Sequence, residues 1–338
     1  MPAIRFLFFV LAATTLSGQS DPLVEGLQQF EKGDYLAAEI TLQKAGNDPR
    51  ARTFLALTRA ALGHCPQAVA DLEKQFNAPL NNDLSRLAGL GLARCRAAVS
   101  ADAGLPVLAQ LRTRFPDDAD VLYESARIYM RAWNDVVYTM FQKAPSSFRV
   151  NQMSAEVFET HSNFKQAIAE YQNAITKNPK AINLHFRLGR AVLMESHEPQ
   201  ALDQALHEFQ AELALNPSDA AAEYQIAQVL VAQQKQDDAR SHYEKALALN
   251  PDFAEALIAV ARIDLNAHNY TEAIARLERA VKLHPESESA HYALMLAYRN
   301  AGRAADAQRE QADLEKISKP PEGEFTNFLK KLGEKPQP

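Results

Sequence analysis

The chain carries side chains that could do chemistry, but their spacing does not assemble an active site. Its 9 histidines are scattered, and no two of them have the close spacing of metal ligands. The acidic pairs Asp117-Asp118 and Asp237-Asp238 stand at expected helix starts, where carboxylates complement the helix dipole. No zinc-protease, nucleophile-elbow, phosphate-loop or dinucleotide-binding motif occurs. We therefore predict no enzyme activity, no metal site and no cofactor.

The 2 cysteines are the remaining reactive groups. Cys65 is expected at the start of one helix, and Cys95 towards the end of the next, so that both lie on one edge of the fold. In an oxidising compartment they could form a disulfide. The alternative is two buried, unpaired thiols that pack as small apolar side chains. Two ligands are too few for a zinc site.

Composition narrows the class of protein. The 338 residues are more than one hydrophobic core usually holds, which indicates two domains or a repeat array. Only 12 residues are glycine and 8% are aromatic, while 47% are hydrophobic and alanine is abundant, which favours helix. With 36 basic and 42 acidic residues the net charge is -6, so we expect no nucleic-acid partner.

Residues 1–20 resemble a secretory signal peptide. Arg5 precedes a mostly apolar stretch of 11 residues from Phe6 to Leu16, and small residues follow up to Ser20. This stretch is shorter than the roughly 20 residues of a membrane-spanning helix, and no second apolar stretch is long enough. We predict export to the periplasm or the medium and no membrane span. The alternatives are an uncleaved anchor or a buried first helix.

A repeat becomes visible in the spacing of prolines. Pro179, Pro217, Pro251 and Pro285 are 38, 34 and 34 residues apart, and each follows an amphipathic helical segment. Proline ends a helix and disfavours helix at the residue before it, so each one marks the end of a unit. A fixed period of this length is typical of solenoid proteins.

These units resemble tetratricopeptide repeats, which have small residues at positions 8, 20 and 27 and a large residue at position 24. A unit counted from Phe148 places Ala155, Ala167, Tyr171 and Ala174 at those positions, and the units counted from Ala220 and Ala254 fit equally well. The resemblance implies an all-α fold, a right-handed α-solenoid of stacked antiparallel helix pairs. About nine units are expected, including a divergent one at Ala119 to Ala144 and one with four extra residues at Ile182 to Asp219.

The pattern predicts four segments. After a signal peptide at 1–20, we expect divergent repeats at 21–147, regular repeats at 148–317, and a capping helix and tail at 318–338. In the last segment the apolar residues Phe325, Phe328, Leu329 and Leu332 have helical spacing. Capping of the final repeat is the favoured interpretation, because repeat arrays need a polar outer end. An amphipathic segment for a partner or a membrane surface is the alternative.

The resemblance also implies a binding surface, since this family binds partners along the first helices of its units. The family's groove positions carry a stripe of aromatic, arginine and amide side chains: Tyr123, Arg127, Phe186, Arg190, Tyr224, Gln228, Arg262, Asn266, Tyr292 and Arg299. Arginine binds carboxylates and tyrosine offers apolar area at low entropy cost. The alternative is that these arginines pair with Glu156 and Glu255 while the rings pack between units.

We therefore predict a non-enzymatic scaffold that binds an extended peptide or a partner's surface carrying acidic groups. Arg190→Ala and Tyr224→Ala are each expected to weaken that binding by more than about tenfold. An accessory subunit of a cell-envelope assembly or polysaccharide-export machine is an alternative. A regulatory part of an enzyme is a further one, disfavoured because repeats fill nearly all of the sequence.

Overall fold

The computed structural model describes residues 21–79 and 82–317, and these residues are helical nearly throughout. They form seventeen α-helices and one short 3-10 helix, with no β-strand within the described ranges. None of these helices is both long and apolar enough to cross a membrane. The predicted signal peptide and the predicted capping helix and tail lie outside the described residues.

The chain divides into two compact units between Pro145 and Ser146. The helices of the first unit are α1 (Pro22–Glu31), α2 (Tyr35–Leu42), α3 (Pro49–Ala61), α4 (Cys65–Phe76), α5 (Asp83–Val99), α6 (Ala101–Arg114) and α7 (Ala119–Lys143), with the 3-10 turn Gln43–Ala45 after α2. Those of the second unit are α8 (Phe148–Thr160), α9 (Phe164–Lys177), α10 (Leu184–Glu195), α11 (Pro199–Leu215), α12 (Ala220–Ala232), α13 (Gln236–Leu249), α14 (Ala254–Asn266), α15 (Tyr270–Leu283), α16 (Glu288–Asn300) and α17 (Ala304–Ile317).

Within each unit, helices pack chiefly against their neighbours in sequence. Turns of a few residues connect the two helices of a pair, which makes them antiparallel. The turns use residues with positive φ, either glycine, as at Gly63 and Gly302, or polar residues such as Ser162, Gln234 and His268. The predicted all-α arrangement of stacked helix pairs is confirmed.

The expectation of a helix pair at Ala119 to Ala144 is wrong. This segment is one continuous helix, α7, with 25 residues. It contains no glycine or proline to end a first helix, and Tyr138 stands where a second helix would need a small residue. The described residues therefore contain eight helix pairs and the single helix α7, instead of nine pairs.

The unit with extra residues accommodates them near its second helix. Helix α10 ends at Glu195, and α11 runs for 17 residues from Pro199, compared with 14 residues in α9, α13 and α15. The insertion thus lengthens the start of α11 and leaves the packing face of the unit in register.

Candidate binding groove

Small residues at fixed positions allow the helices of the second unit to approach each other closely. Position 8 on the first helices is Ala155, Ala227 or Ala261, and position 20 on the second helices is Ala167, Ala239 or Ala273, all with 0% exposure. A larger side chain would separate the helices of a pair. These alanines fix the relative placement of the first helices, which carry the candidate groove.

Large residues at position 24 fill the space that the small residues leave. Tyr171, Phe209, Tyr243 and Leu277 are all buried at this position. The Tyr171 hydroxyl donates a hydrogen bond of 2.9 Å to Glu159, at the end of the first helix of its own pair. Burial, reinforced by the negative charge of Glu159, raises the pKa of the Tyr171 hydroxyl far above its ordinary value.

The ten predicted groove residues fall into two groups. Tyr123 and Arg127 lie on α7 in the first unit, where the Arg127 guanidinium is 5.9 Å from the centre of the Tyr123 ring. The other eight lie on α10, α12, α14 and α16 in the second unit. Seven of the ten are exposed, and three are half-buried: Phe186, Tyr224 and Gln228.

The structure brings Tyr224, Gln228 and Arg262 together at the boundary between two repeats. The Gln228 amide donates a hydrogen bond of 2.8 Å to the Tyr224 hydroxyl, and the Tyr224 ring centre is 5.0 Å from that of Phe253. Burial raises the pKa of Tyr224, nearby Glu255 raises it further, and the positive charge of Arg262 opposes the shift. Tyr224 therefore has a packing role as well as an exposed edge.

Phe186 also packs between helices. Its ring centre lies 5.7 Å from that of Phe209, and its backbone N–H donates a hydrogen bond of 3.3 Å to Glu212. The fully buried Glu212 carboxylate also accepts a hydrogen bond of 2.7 Å from the N–H of Asn183. It thereby caps α10, whose own N-cap side chain makes no such bond. Phe186 thus packs within its own helix pair, whereas Tyr224 contacts Phe253 just before the next pair, as the alternative of rings packing between units predicts.

The predicted groove arginines of the second unit do not form the ion pairs with Glu156 and Glu255 that the alternative predicts. Glu156 pairs with Arg187 at 3.5 Å, and not with a predicted groove arginine. Arg190, Arg262 and Arg299 form no ion pair with any carboxylate of residues 21–79 and 82–317. In the first unit, Arg127 lies 3.4 Å from Glu124. Three exposed guanidinium groups in the second unit therefore remain available to a ligand.

Sequence reasoning missed a recurrent polar contact between the two helices of a pair. It joins the residue at repeat position 4, on the first helix, to the residue at repeat position 23, on the second helix. The polar atoms of the two side chains are 2.5 to 2.7 Å apart in the pairs Arg52–Asp71, Asn151–Glu170, His185–Glu208, Glu223–His242 and His291–Glu310. The residue types at these two positions differ from one unit to the next. Only an alignment of all the units against each other could therefore have revealed the contact. The contact gives these side chains, including His185, His242 and His291, a role in joining the two helices of a pair.

Asp264 is a second buried charge with a structural role. Its side chain is 1% exposed and accepts hydrogen bonds from Arg276 of its own pair and from Arg240 of the preceding pair, the latter at 2.9 Å. The carboxylate occupies position 11, where the neighbouring units have Phe158, Leu230 or Tyr298. Two guanidinium groups satisfy the buried charge and connect consecutive repeats.

The two cysteines lie in the first unit, where Cys65 and Cys95 form a disulfide between α4 and α5. Their Cα atoms are 5.2 Å apart, within the usual range for a bridge. The alternative of two unpaired thiols is wrong for this structure. In the described part of the chain, no three His, Cys, Asp or Glu side chains are grouped to hold a metal ion.

An open cavity of about 450 Å³ lies on another surface of the second unit, between α13 and α15. Its polar lining includes Glu272, Arg276 and Arg279. Both arginines already have partners, because Arg276 pairs with Asp264 and Arg279 with Asp252. The cavity therefore does not offer an unpaired guanidinium group like those of the exposed arginines of α10, α14 and α16.

These features define a helical-repeat protein with a binding surface on its first helices, and comparison with known families specifies the repeat. Residues 153–220 and 200–254 match one tetratricopeptide repeat profile, and residues 230–295 match another. Residues 153–295 of the chain are therefore tetratricopeptide repeats. This fold suggests a scaffold for protein–protein interaction, since such proteins are typically non-enzymatic and take proteins or peptides as partners.

Solved structures with the same kind of architecture are similar to part of the chain. MamA is 18% identical, with a TM-score of 0.43, over 48% of this chain and 93% of its own. YrrB, described as a tetratricopeptide-repeat protein with an unusual peptide-binding site, is 16% identical, with a TM-score of 0.43, over 58% and 97%. MamA 41-end from Desulfovibrio magneticus RS-1 is 15% identical, with a TM-score of 0.45, over 52% and 97%. No curated protein sequence matches the chain. Similarity at this level does not identify a ligand.

Proposed function

We propose that the protein is an exported scaffold that binds an extended, acidic segment of a partner protein along the first helices of its second unit. The observation that carries this proposal is the set of exposed arginines without a carboxylate partner among the described residues, Arg190, Arg262 and Arg299, beside the aromatic residues Tyr224 and Tyr292. Guanidinium groups bind carboxylates through paired hydrogen bonds, and exposed tyrosine rings hold apolar side chains.

The spacing of two of these arginines limits the ligand. Arg190 is on α10 and Arg262 on α14, with α12 as the first helix between them. At about 10 Å for each packed helix, the two helices are roughly 20 Å apart. An extended chain covers about 3.3 Å per residue, so a ligand that contacts both needs acidic groups roughly six residues apart.

Export is the second part of the proposal. The disulfide between Cys65 and Cys95 supports it, because disulfides persist in oxidising compartments and are rare in the cytosol. The composition of residues 1–20 supports it independently, as a charged start followed by a short apolar stretch.

Fluorescence anisotropy with a labelled extended peptide tests the groove. The probe carries two aspartates about six residues apart with apolar residues between them. Arg190→Ala, Arg262→Ala and Tyr292→Ala are each expected to weaken binding by more than about tenfold. Raising the salt concentration is expected to weaken binding to the unmodified protein as well, because exposed charges are screened.

The matched control is Arg279→Ala, which removes an exposed arginine from α15, a second helix, where it pairs with Asp252. This variant is expected to bind the peptide normally. A peptide with asparagine in place of both aspartates is expected to bind at least tenfold more weakly. If the groove variants and the Arg279 variant bind the acidic peptide equally well, the groove assignment is wrong.

A further inference from the structure

Within the described part of the first unit, helix α7 packs on only one side. Its buried residues are Val121, Glu124, Ser125 and Ile128, which lie within three to four residues of each other and so share one face. Val121 and Ile128 belong to the hydrophobic core that contains residues of α4, α5 and α6. Beyond Ile128, no residue of α7 is buried. With 25 residues against 14 in α6, α7 is about 16 Å longer than the helix on which it packs.

The opposite side of α7 is apolar and exposed. At about 100° per residue, Tyr129, Met130, Trp133, Val136 and Phe141 fall on one broad face, away from the buried one. Met130 is 63% exposed, Trp133 49% and Val136 61%. We refer to the side chains of Tyr129, Met130, Trp133, Val136, Val137, Met140 and Phe141 as the α7 apolar face. None of them is charged, and the ion pair Arg131–Asp135 lies on the other side of the helix.

The exposed area of this face fits a dimer interface. A large side chain has about 150 to 250 Å² of surface, so the exposed fractions leave on the order of 600 Å² open on each chain. This is at or above the largest apolar patch of typical monomers, about 300 to 600 Å². Two such faces in contact would bury on the order of 1,200 Å², the lower end of the range of specific, stable interfaces.

The sequence of the face favours a second copy of the chain as its partner. Met130, Trp133, Val137 and Met140 are separated by alternating steps of three and four residues, the spacing with which two helices pack side by side. A symmetric dimer brings two identical apolar faces together, so complementarity is assured and no charge is buried. A membrane surface fits less well, because helices that lie on membranes are rich in basic residues on their polar side, whereas Arg131 is paired with Asp135.

From this geometry we infer that the protein forms a homodimer through the α7 apolar faces of two copies. The α7 apolar face contains none of the eight predicted groove residues of the second unit, so the dimer presents two sets of those residues. An extended partner with two acidic segments would then gain affinity from binding both copies.

The wild-type protein itself provides the test, because Trp133 is its single tryptophan. Sedimentation equilibrium over the micromolar range is expected to show twice the chain mass at high concentration and the single chain mass on dilution. Tryptophan emission is expected to move to longer wavelength on dilution, with the same midpoint, because dimerisation removes the indole from water.

A double variant, Met130→Glu with Val136→Glu, places two charges on the α7 apolar face at exposed positions. It is expected to weaken dimerisation by more than about tenfold while the helical circular dichroism is unchanged. The matched control is Gln142→Glu, an exposed position on the other side of the same helix. It adds charge to α7 without touching the face, and its dimerisation is expected to remain within about twofold of wild type.

Three results would overturn the inference. The first is a single chain mass at all concentrations with emission already at short wavelength, which means that the same chain covers Trp133. The second is a single chain mass with a shift of emission only on addition of phosphatidylglycerol and phosphatidylcholine vesicles, which means that the face binds membranes. The third is a dimer that persists unchanged in the double variant, which places the interface elsewhere.

Discussion

At the scale of single residues, the buried charges of this protein all serve packing. Glu212 caps α10, Asp264 joins two arginines, and His291 lies between Glu310 and the carbonyl of Pro285. Each of these three buried groups has a partner, as the cost of burying an unpaired charge requires. Glu212, Asp264 and His291 are therefore used to hold the structure together.

The first prediction concerns Asp264. Asp264→Ala leaves Arg240 and Arg276 facing each other without the shared carboxylate, and we expect it to lower the free energy of unfolding by about 2 to 4 kcal/mol. Urea unfolding followed by circular dichroism measures the change. The control is Asp252→Ala, which breaks the exposed pair with Arg279 and is expected to cost at most about 1 kcal/mol. Equal losses in the two variants would contradict the structural role of Asp264.

The second prediction concerns the buried tyrosines at alkaline pH. Burial raises the pKa of Tyr243 far above the value of 10.0 that it has when exposed to water, and the unfolded chain loses this proton first. The contribution of the protonated Tyr243 hydroxyl to the free energy of unfolding is complete below about pH 10 and is lost as the pH rises above that value. Tyr243→Phe is expected to reduce the alkaline loss of stability by up to about 1.4 kcal/mol per pH unit.

Urea unfolding at pH 7 provides the control for this variant. The Tyr243 hydroxyl makes no side-chain hydrogen bond within the described ranges, so Tyr243→Phe should change stability there by less than about 0.5 kcal/mol. If the free energies of unfolding of the wild-type protein and of the Tyr243→Phe variant change in parallel from pH 9 to 11, Tyr243 does not titrate with unfolding.

At the scale of helix pairs, the residues at positions 8 and 24 of the pair α10–α11 must fit closely against each other. The pair α8–α9 combines Ala155 with Tyr171, whereas α10–α11 combines Gly189 with Phe209. A methyl group added at Gly189 would lie 2.7 Å from Cε1 of the Phe209 ring. A rigid ring cannot move aside as the end of a flexible side chain can, so the glycine is required by its partner.

The third prediction tests this matching. Gly189→Ala is expected to destabilise the protein by about 1 to 3 kcal/mol through overpacking, although alanine favours helix more than glycine does. Phe209→Leu provides space beside position 189. In that background, Gly189→Ala is expected to lower the free energy of unfolding by at least 1 kcal/mol less than it does in the wild-type protein. Thermal unfolding of both single variants and the double variant measures the coupling. Additive effects would show that the two side chains do not compete for the same space.

At the scale of the whole molecule, the two units differ in how they are stabilised. The first contains a disulfide and the long helix α7, whereas the described part of the second consists of five helix pairs with regular repeat positions and no cysteine. Repeat arrays derive their stability from each unit and its neighbours, so the two parts need not unfold together.

The fourth prediction follows from this difference. Protein recovered from an oxidising compartment is expected to have no free thiol until it is reduced. Reduction is expected to lower the stability of the first unit by roughly 3 to 4 kcal/mol, the value for a closed loop of this length, and to leave the second unit unchanged. Hydrogen exchange read out by mass spectrometry separates the two units. Increased exchange in the second unit, or two titratable thiols before reduction, would contradict it.

The sequence determined the repeat architecture, because the information for it is local. A fixed period of 34 residues, prolines at unit ends and small residues at positions 8, 20 and 27 suffice to define a helix pair. These positions are buried in the structure as the pattern requires, for example Ala167, Ala239 and Ala273. The predicted unit starts Phe148, Ala220 and Ala254 are also the first residues of α8, α12 and α14.

The tertiary structure decided the roles of individual side chains. Whether Tyr224 binds or packs depends on Phe253 and Tyr243 in other helices, and the contacts between positions 4 and 23 join residues 19 apart or more. The structure also showed α7 to be one helix whose apolar face has no partner in the described residues. A sequence pattern places a side chain on a helix face, but only the packing of neighbouring helices determines whether that face is buried, paired or exposed.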